Sequence, residues 1–366
     1  MHIYRWMDAF SKRGFQVFLI TDHTLWVAPK ILWRSAYVLP TLTRKNLLRR
    51  AMPNTLRITR ILKKIKPDFV HLHAENYYSL AIILSGLPYV LTSWGIEVLN
   101  LQNAGFVEKS LAKVAAGRAR KVTVDAMCLQ EIWQNLGIPA SRIKLIPFGV
   151  DLNVFHQYPQ RSSIRKSLQI RESDIVVMST RPFYNHKYDV ETLIRAIPLI
   201  VRKHGNVKFV LKGSGPLENY LKRLAEKLGV TSYVRFIGLV PYDDIPKHLS
   251  AADIYVSTCF IDTTSVSLLE AMACKLAPVV TDIPGNREWV ADGVNGLLFS
   301  PSNPEALAEK ITHMVENPQL REQFGERCLQ IVEQRASWDK CFSDMEDIYE
   351  SLLKEEHQTV SEKGFQ

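Results

Sequence analysis

No apolar run in the 366 residues approaches the roughly 18 to 20 needed to cross a bilayer, so no transmembrane segment is expected. The start, Met1-His2-Ile3-Tyr4-Arg5-Trp6, has no apolar core followed by a small-residue cleavage site, so no secretory leader is expected either. Cysteine is scarce. The five present (Cys128, Cys259, Cys274, Cys328 and Cys341) are odd in number, widely spaced and free of any CxxC or Cys/His grouping. That usage argues for a reducing, cytoplasmic compartment and against structural zinc. Acidic residues are missing altogether between His23 and Pro67, where Lys30, Arg34, Arg44, Lys45, Arg49, Arg50, Arg57, Arg60, Lys63, Lys64 and Lys66 stand. Those eleven exceed the net charge of +9, so the rest of the chain is slightly acidic and the protein is not basic throughout.

Hydrophobic residues at 46% and charged residues at 23% are the balance of a globular chain, and the length suits two domains. Helical and strand patterns alternate, the mark of parallel α/β architecture. Ile3, Met7 and Phe10 share a helical face ended by Gly14, and Gln16–Thr21 reads as a strand. An Ile58, Ile61, Leu62, Ile65 stripe runs up to Pro67 and the strand Phe69–His73; 88–92 and 121–124 read as further strands. A second alternating series starts at Ile175, with strands expected at 175–179, 208–211, 234–237, 254–257 and 278–281. The boundary is placed near residue 150: residues 1–150 as one domain, 151–335 as the other, and a last helix within 336–366 returning to the first.

Three strand-to-helix junctions of the second half carry groups suited to phosphate. After 175–179 come Arg181 and Lys187; after 208–211 come Gly213-Ser214-Gly215-Pro216; after 254–257 come Asp262, Ser265, Val266, Ser267 and Glu270. Thr264 or Ser265 can cap the helix there, whose first-turn N–H groups favour an anion. Singly, each has an ordinary structural reading: surface cations, a turn, a helix-rim carboxylate. In a parallel sheet all three junctions lie along one edge, so a nucleotide-like anion explains them together.

This combination, with Asp282-Ile283-Pro284-Gly285-Asn286-Arg287-Glu288 and Asp292-Gly293-Val294-Asn295-Gly296, resembles the retaining GT-B glycosyltransferases of family 4. The likeness runs over nearly the whole chain. It implies two Rossmann-like α/β domains facing a cleft, the first for the acceptor and the second for a nucleotide-diphosphate sugar. It implies that Arg181 and Lys187 neutralise the departing diphosphate, a large catalytic term. Glu270 would hold the ribose and Asp262 the sugar hydroxyls. Gly213, Ser214, Gly215 and the backbone near Ser265, Val266 and Ser267 would hold the rest of the donor. Neither a metal nor a cofactor is implied. The acceptor would be a glycan or a lipid-linked glycan.

The chain departs from the family pattern at Asp262, where Glu is usual, and at Lys275, where Gly is common. Trp94-Gly95 followed by Glu97 replaces a His-Gly pair, which leaves His73, Trp94, Gly95 and Glu97 as the candidate acceptor residues. The family's opening strand before the first helix is lacking, so the first sheet is expected to miss a central member. Alternatives from other classes are a nucleotide-sugar epimerase or hydrolase, and a non-catalytic nucleotide-sugar-binding protein. The basic segment 23–67, with Trp26, Trp33 and Tyr37 interleaved, suits an anionic membrane surface, where each base contributes about 1 kcal/mol. No nucleic-acid recognition motif accompanies it.

Overall fold

The computed structural model describes residues 2–21, 36–39, 47–73, 78–101 and 104–363. The chain divides into two compact units: one of 1–125, 129–146 and 342–366, the other of 126–128 and 147–341.

The first unit opens on helix α1 (His2–Lys12), followed by strands β1 (Leu19–Thr21) and β2 (Ala36–Val38). Helix α2 (Leu47–Ile65), β3 (Val70–His73), α3 (Tyr78–Ser85), β4 (Tyr89–Ser93), α4 (Ile96–Leu101) and α5 (Phe106–Arg118) come next. Strand β5 (Lys121–Val124), α6 (Met127–Asn135) and β6 (Ile143–Leu145) complete the series. The strands form two separate parallel sheets among the described residues, β1-β2 and β3-β4-β5-β6. Strand β4 is buried along its whole length, and its Tyr-Val-Leu core reads accordingly as near-continuous apolar sequence. In α2 the stripe Ile58, Leu62 faces inward while Arg57, Arg60, Lys63 and Lys64 are exposed. The rest of the basic segment falls largely outside the described residues, Trp26, Lys30, Trp33 and Arg34 included.

The second unit contains α7 (Arg161–Ser167), β7 (Ile175–Ser179), α8 (Val190–Val201), β8 (Val207–Lys212), α9 (Glu218–Lys227) and β9 (Val234–Gly238). It continues through α10 (Ile245–Ser250), β10 (Ile254–Ser257), α11 (Val266–Ala273), β11 (Ala277–Thr281), α12 (Pro284–Arg287) and β12 (Leu297–Phe299). Helices α13 (Pro304–Glu316) and α14 (Pro318–Arg335) follow. One parallel sheet of order β12-β11-β10-β7-β8-β9 is covered by two apolar clusters, one built around Leu193, Ile197 and Phe209, the other around Tyr255, Leu269 and Met272. Strand order reverses at β7, which lies between β10 and β8, and ligands of open α/β sheets bind beyond the carboxyl ends of strands at such a reversal.

Helix α15 (Trp338–Lys363) starts in the second unit, and from Phe342 its residues belong to the first. There Tyr349 stacks on Phe10 of α1, Phe342 packs on the same ring at a tilt, and Lys144 pairs with Asp344 at 3.0 Å. At the start of the second unit Gly149 takes φ +76°, and a Cβ there would lie 3.0 Å from the Trp338 Cα. Val150 bonds both ways across the join into α15, accepting from Trp338 and donating to Ala336, each at 2.8 Å.

Candidate functional site

Arg181 leaves the carboxyl end of β7 and its guanidinium reaches across to the β10 junction. Nε donates to Ser257 Oγ at 2.8 Å, Nη2 to Ser265 Oγ at 2.7 Å, and Nη1 pairs with Asp262 at 3.0 Å. Only 6% of Arg181 is exposed. Burial works against its charge, but the field of Tyr255 and Asp262 outweighs it and the pKa rises. A rigid fork with three separate acceptors is a task lysine cannot reproduce.

Lys187 lies in a 3-10 turn, His186–Tyr188, whose start is fixed by Asn185: its side-chain oxygen accepts the Lys187 N–H at 3.2 Å. The turn is tied to the β10 junction twice. Phe260 N–H donates to Lys187 O at 3.1 Å, and Thr258 Oγ donates to Tyr188 O at 2.8 Å. Burial raises the pKa of the neighbouring Cys259 thiol, and the positive charges of Arg181 and Lys187 oppose that rise.

Ser265 caps α11, accepting the Leu268 N–H at 3.2 Å, and its hydroxyl lies 3.3 Å from that of Ser267. The Ser267 hydroxyl accepts from Tyr255 OH at 2.9 Å. Val266 is the first residue of the helix, so its N–H has no intrahelical acceptor. Glu270, 7% exposed, sits one turn further on, and its charge is felt by Lys212 and Cys274. Lys212, the last residue of β8, has its pKa lowered by burial, with Glu270 opposing the shift.

Gly213 and Gly215 leave room for a different neighbour than a ligand. A Cβ on Gly213 would lie 2.5 Å from Arg181 O, and one on Gly215 would lie 2.4 Å from Phe183 O. The two glycines let the β8 loop pack against the β7 loop, and Phe183 N–H donates to Ser214 O at 3.0 Å across that join. Gly285 plays the same part for the β10 loop, since its Cβ would lie 2.0 Å from Thr263 O.

In the first unit, Trp94 Nε1 donates to His73 Nδ1 at 2.9 Å, with the two rings stacked 5.6 Å apart. His73 also stacks on His71 at 4.1 Å. His71 lies between Tyr349 OH on Nδ1 and Thr92 Oγ1 on Nε2, each at 2.5 Å. Burial lowers the pKa of both histidines, His73 to about 4, so both are neutral at physiological pH. Gly95, at φ +65°, turns the chain from β4 into α4. Glu97 falls within α4, and its side chain lies outside the described residues.

With this geometry in hand, the chain matches two family models: glycosyltransferase family 4 over residues 1–154 and glycosyl transferases group 1 over residues 160–330. The chain belongs to the group 1/family 4 glycosyltransferases. An uncharacterised glycosyltransferase of Methanocaldococcus jannaschii is 27% identical over 238 residues, 64% of this chain and 60% of its own length. A GDP-mannose-dependent α-(1-6)-phosphatidylinositol monomannoside mannosyltransferase of Mycobacterium tuberculosis is 26% identical over 57% of this chain and 56% of its own. The chain thus spans well under two thirds of the length of either relative. Among solved structures, sucrose-phosphate synthase of Thermosynechococcus elongatus superposes with a TM-score of 0.81 at 18% identity, covering 96% of this chain and 93% of that one. Anabaena HepE with UDP and glucose gives 0.76 at 20% identity, covering 96% and 95%. The fold class of this family 4 member is therefore the GT-B α/β fold.

Within that family frame, the structure brings Arg181, Asp262, Ser265 and Ser267 into one bonded network, ties the Lys187 turn to it, and places Glu270 on the same helix. Ser257, Tyr255 and Lys212 were not singled out from the sequence. Ser257 and Lys212 are the last residues of their strands, a position that marks them as edge groups once the strands are known. His71 was also missed, because its pairing with Tyr349 spans 278 residues.

Proposed function

We propose that the chain transfers a sugar, with retention, from a nucleotide-diphosphate sugar to a glycan or lipid-linked glycan. The observation that carries this reading is the Arg181 guanidinium, fixed by Ser257, Ser265 and Asp262 at the strand-order reversal. A permanent cation held there without reorganisation stabilises negative charge that develops on a departing diphosphate. Lys187, on a turn braced against the same loop, adds a second positive charge. The Val266 and Ser267 N–H groups supply donors for phosphate oxygens. Glu270 is the carboxylate for the ribose hydroxyls. Asp262, which holds Arg181 and accepts the Thr263 N–H at 3.1 Å, is the carboxylate for the donor-sugar hydroxyls in this reading.

Two cations in these roles remove the need for a metal at the diphosphate, so turnover is expected to survive EDTA. His73 and Trp94 are proposed on the acceptor side, the neutral imidazole acting as a hydrogen-bonding group. The names of relatives support a glycan or lipid acceptor: the mycobacterial enzyme acts on a phosphatidylinositol monomannoside, and a 22% identical relative in Acholeplasma laidlawii is an α-monoglucosyldiacylglycerol synthase. Exposed Arg57, Arg60, Lys63 and Lys64 on α2 fit a protein that works peripherally at the cytoplasmic face of an anionic membrane. No helix among the described residues is long and apolar enough to cross one.

The test is a screen of nucleotide-diphosphate sugars for acceptor-dependent transfer, with Glu270→Ala and Lys187→Ala alongside. Both variants are expected to stay folded and lose transfer. Full turnover in both, or donor conversion without any acceptor, would sink the reading.

A further inference from the structure

Tyr255 lies in β10 with none of its surface exposed, inside the apolar cluster that includes Met178, Leu268, Leu269 and Met272. Phenylalanine would fill that space equally well, so the phenol hydroxyl is the part that the core does not call for. It donates to Ser267 Oγ at 2.9 Å, while Thr180 Oγ1, at 3.5 Å, is too distant to compete for the proton. We infer that Tyr255 is a positioning residue for the donor diphosphate: its bond makes the Ser267 hydroxyl a donor aimed out of the protein, at a phosphate oxygen. The role rests on the sugar-transfer reading above, which uses the Ser267 N–H and leaves the hydroxyl unassigned.

The direction of the Ser267 proton follows from counting. A serine hydroxyl offers two acceptor sites and one proton. At Ser265 both acceptor sites are taken, one by Arg181 Nη2 at 2.7 Å and the other by the Leu268 N–H at 3.2 Å. Its own proton must then be given away, and Ser267 Oγ stands 3.3 Å from it. Ser267 Oγ therefore accepts twice, from Tyr255 and from Ser265. Among the described residues no protein group accepts the Ser267 proton, and the residue is only half-buried. Both bonds run towards Ser267 and none returns, because a guanidinium has no acceptor to offer and the phenol proton is committed.

Hydrogen bonds that share one direction polarise one another, so a hydroxyl that accepts twice is a stronger donor. Ser267 is the second residue of α11, and its proton joins the Val266 N–H on the turn where an anion is favoured. A group that can only donate suits an ionised phosphate oxygen. Tyr255→Phe keeps the packing and reopens an acceptor site on Ser267 Oγ. The hydroxyl can then rotate, and it must reorganise each time a phosphate arrives. The loss falls on the diphosphate and spares the nucleoside, which the Ser267 hydroxyl does not hold.

The experiment titrates the full chain with the diphosphates of uridine, guanosine, adenosine and thymidine, and with the matching free nucleosides, by ligand-observed NMR. The ratio of diphosphate to nucleoside affinity is taken within each variant, so a partly unfolded preparation does not distort it. For the nucleotide that the parent binds, Tyr255→Phe is expected to lower this ratio about 10-fold, the low end for a donor to a charged group. Ser267→Ala should lower it at least as far. The double variant should match Ser267→Ala alone, since the phenol acts through that serine. An unchanged ratio in Tyr255→Phe, or losses that add in the double variant, overturns the role of Tyr255 and leaves sugar transfer standing. A parent chain that binds none of these diphosphates overturns both.

Discussion

Replacing Arg181 by lysine keeps the positive charge and removes the fork, so it isolates what geometry contributes. The guanidinium makes three bonds, to Ser257, Ser265 and Asp262, at 2.7 to 3.0 Å. A lysine ammonium can retain the contact with Asp262 but not the two serine bonds at once. Hydrogen bonds to a charged group contribute about 1.5 to 3 kcal/mol each. Ser265 keeps a partner in the Leu268 N–H, which places the loss at the low end, near 3 kcal/mol for the pair. The effect on chemistry is separate. If the fork is aimed at the departing diphosphate, loss of an oriented donor should lower kcat by about 10² to 10³. Urea unfolding gives the first quantity from the midpoint, and initial transfer rates at a temperature where both proteins are folded give the second. Ser257→Ala should reproduce part of both losses while leaving the arginine in place. An Arg181→Lys protein with the parent's urea midpoint and the parent's turnover would refute the argument that the network orients the cation.

Acid should weaken the first unit through its buried histidines. Their folded pKa values lie below the unfolded value of 6.5, His73 at about 4, so the unfolded chain binds protons first as pH falls. Stability is full above pH 6.5 and declines towards pH 4, by up to about 3 kcal/mol for His73 at 1.36 kcal/mol per unit; a stability that stays flat over this window would contradict the burial. Gly285→Ala places a Cβ 2.0 Å from Thr263 O, a backbone atom that cannot swing aside, so a loss of about 1 to 3 kcal/mol and weaker donor binding are expected in melting and titration experiments. Glu270→Gln removes the charge that opposes the depression of Lys212, so the Lys212 pKa should fall further, visible in its side-chain NMR titration. An unchanged titration would separate Lys212 from Glu270.

Periodicity located most elements of the chain, including β7, β8, β10 and β11 within a residue or two and the stripe of α2, because each buries its own repeating apolar face. Short elements escaped it. Strands β2, β6 and β12 have three residues each and, unlike the equally short β1, no longer apolar run around them to mark them, so they owe their place to neighbouring strands. The candidate site was legible as residue types at three junctions. What was not legible was that Gly213 and Gly215 serve loop-to-loop packing, or that Asp262 is already engaged by Arg181, since both depend on atoms brought close by the sheet.

The amino-acid sequence by itself determined the alternating α/β pattern, the confinement of excess positive charge to residues 23–67, and the kinds of group offered at each junction. These are local properties, fixed by side-chain chemistry and spacing along one segment. Tertiary structure decided which groups meet. Strand order put β10, β7 and β8 side by side, and that adjacency turns Arg181, Ser257, Ser265 and Asp262 into one network. It likewise left β1 and β3 bordering a common space, because pairing between strands far apart in sequence is set by packing and not by any single segment.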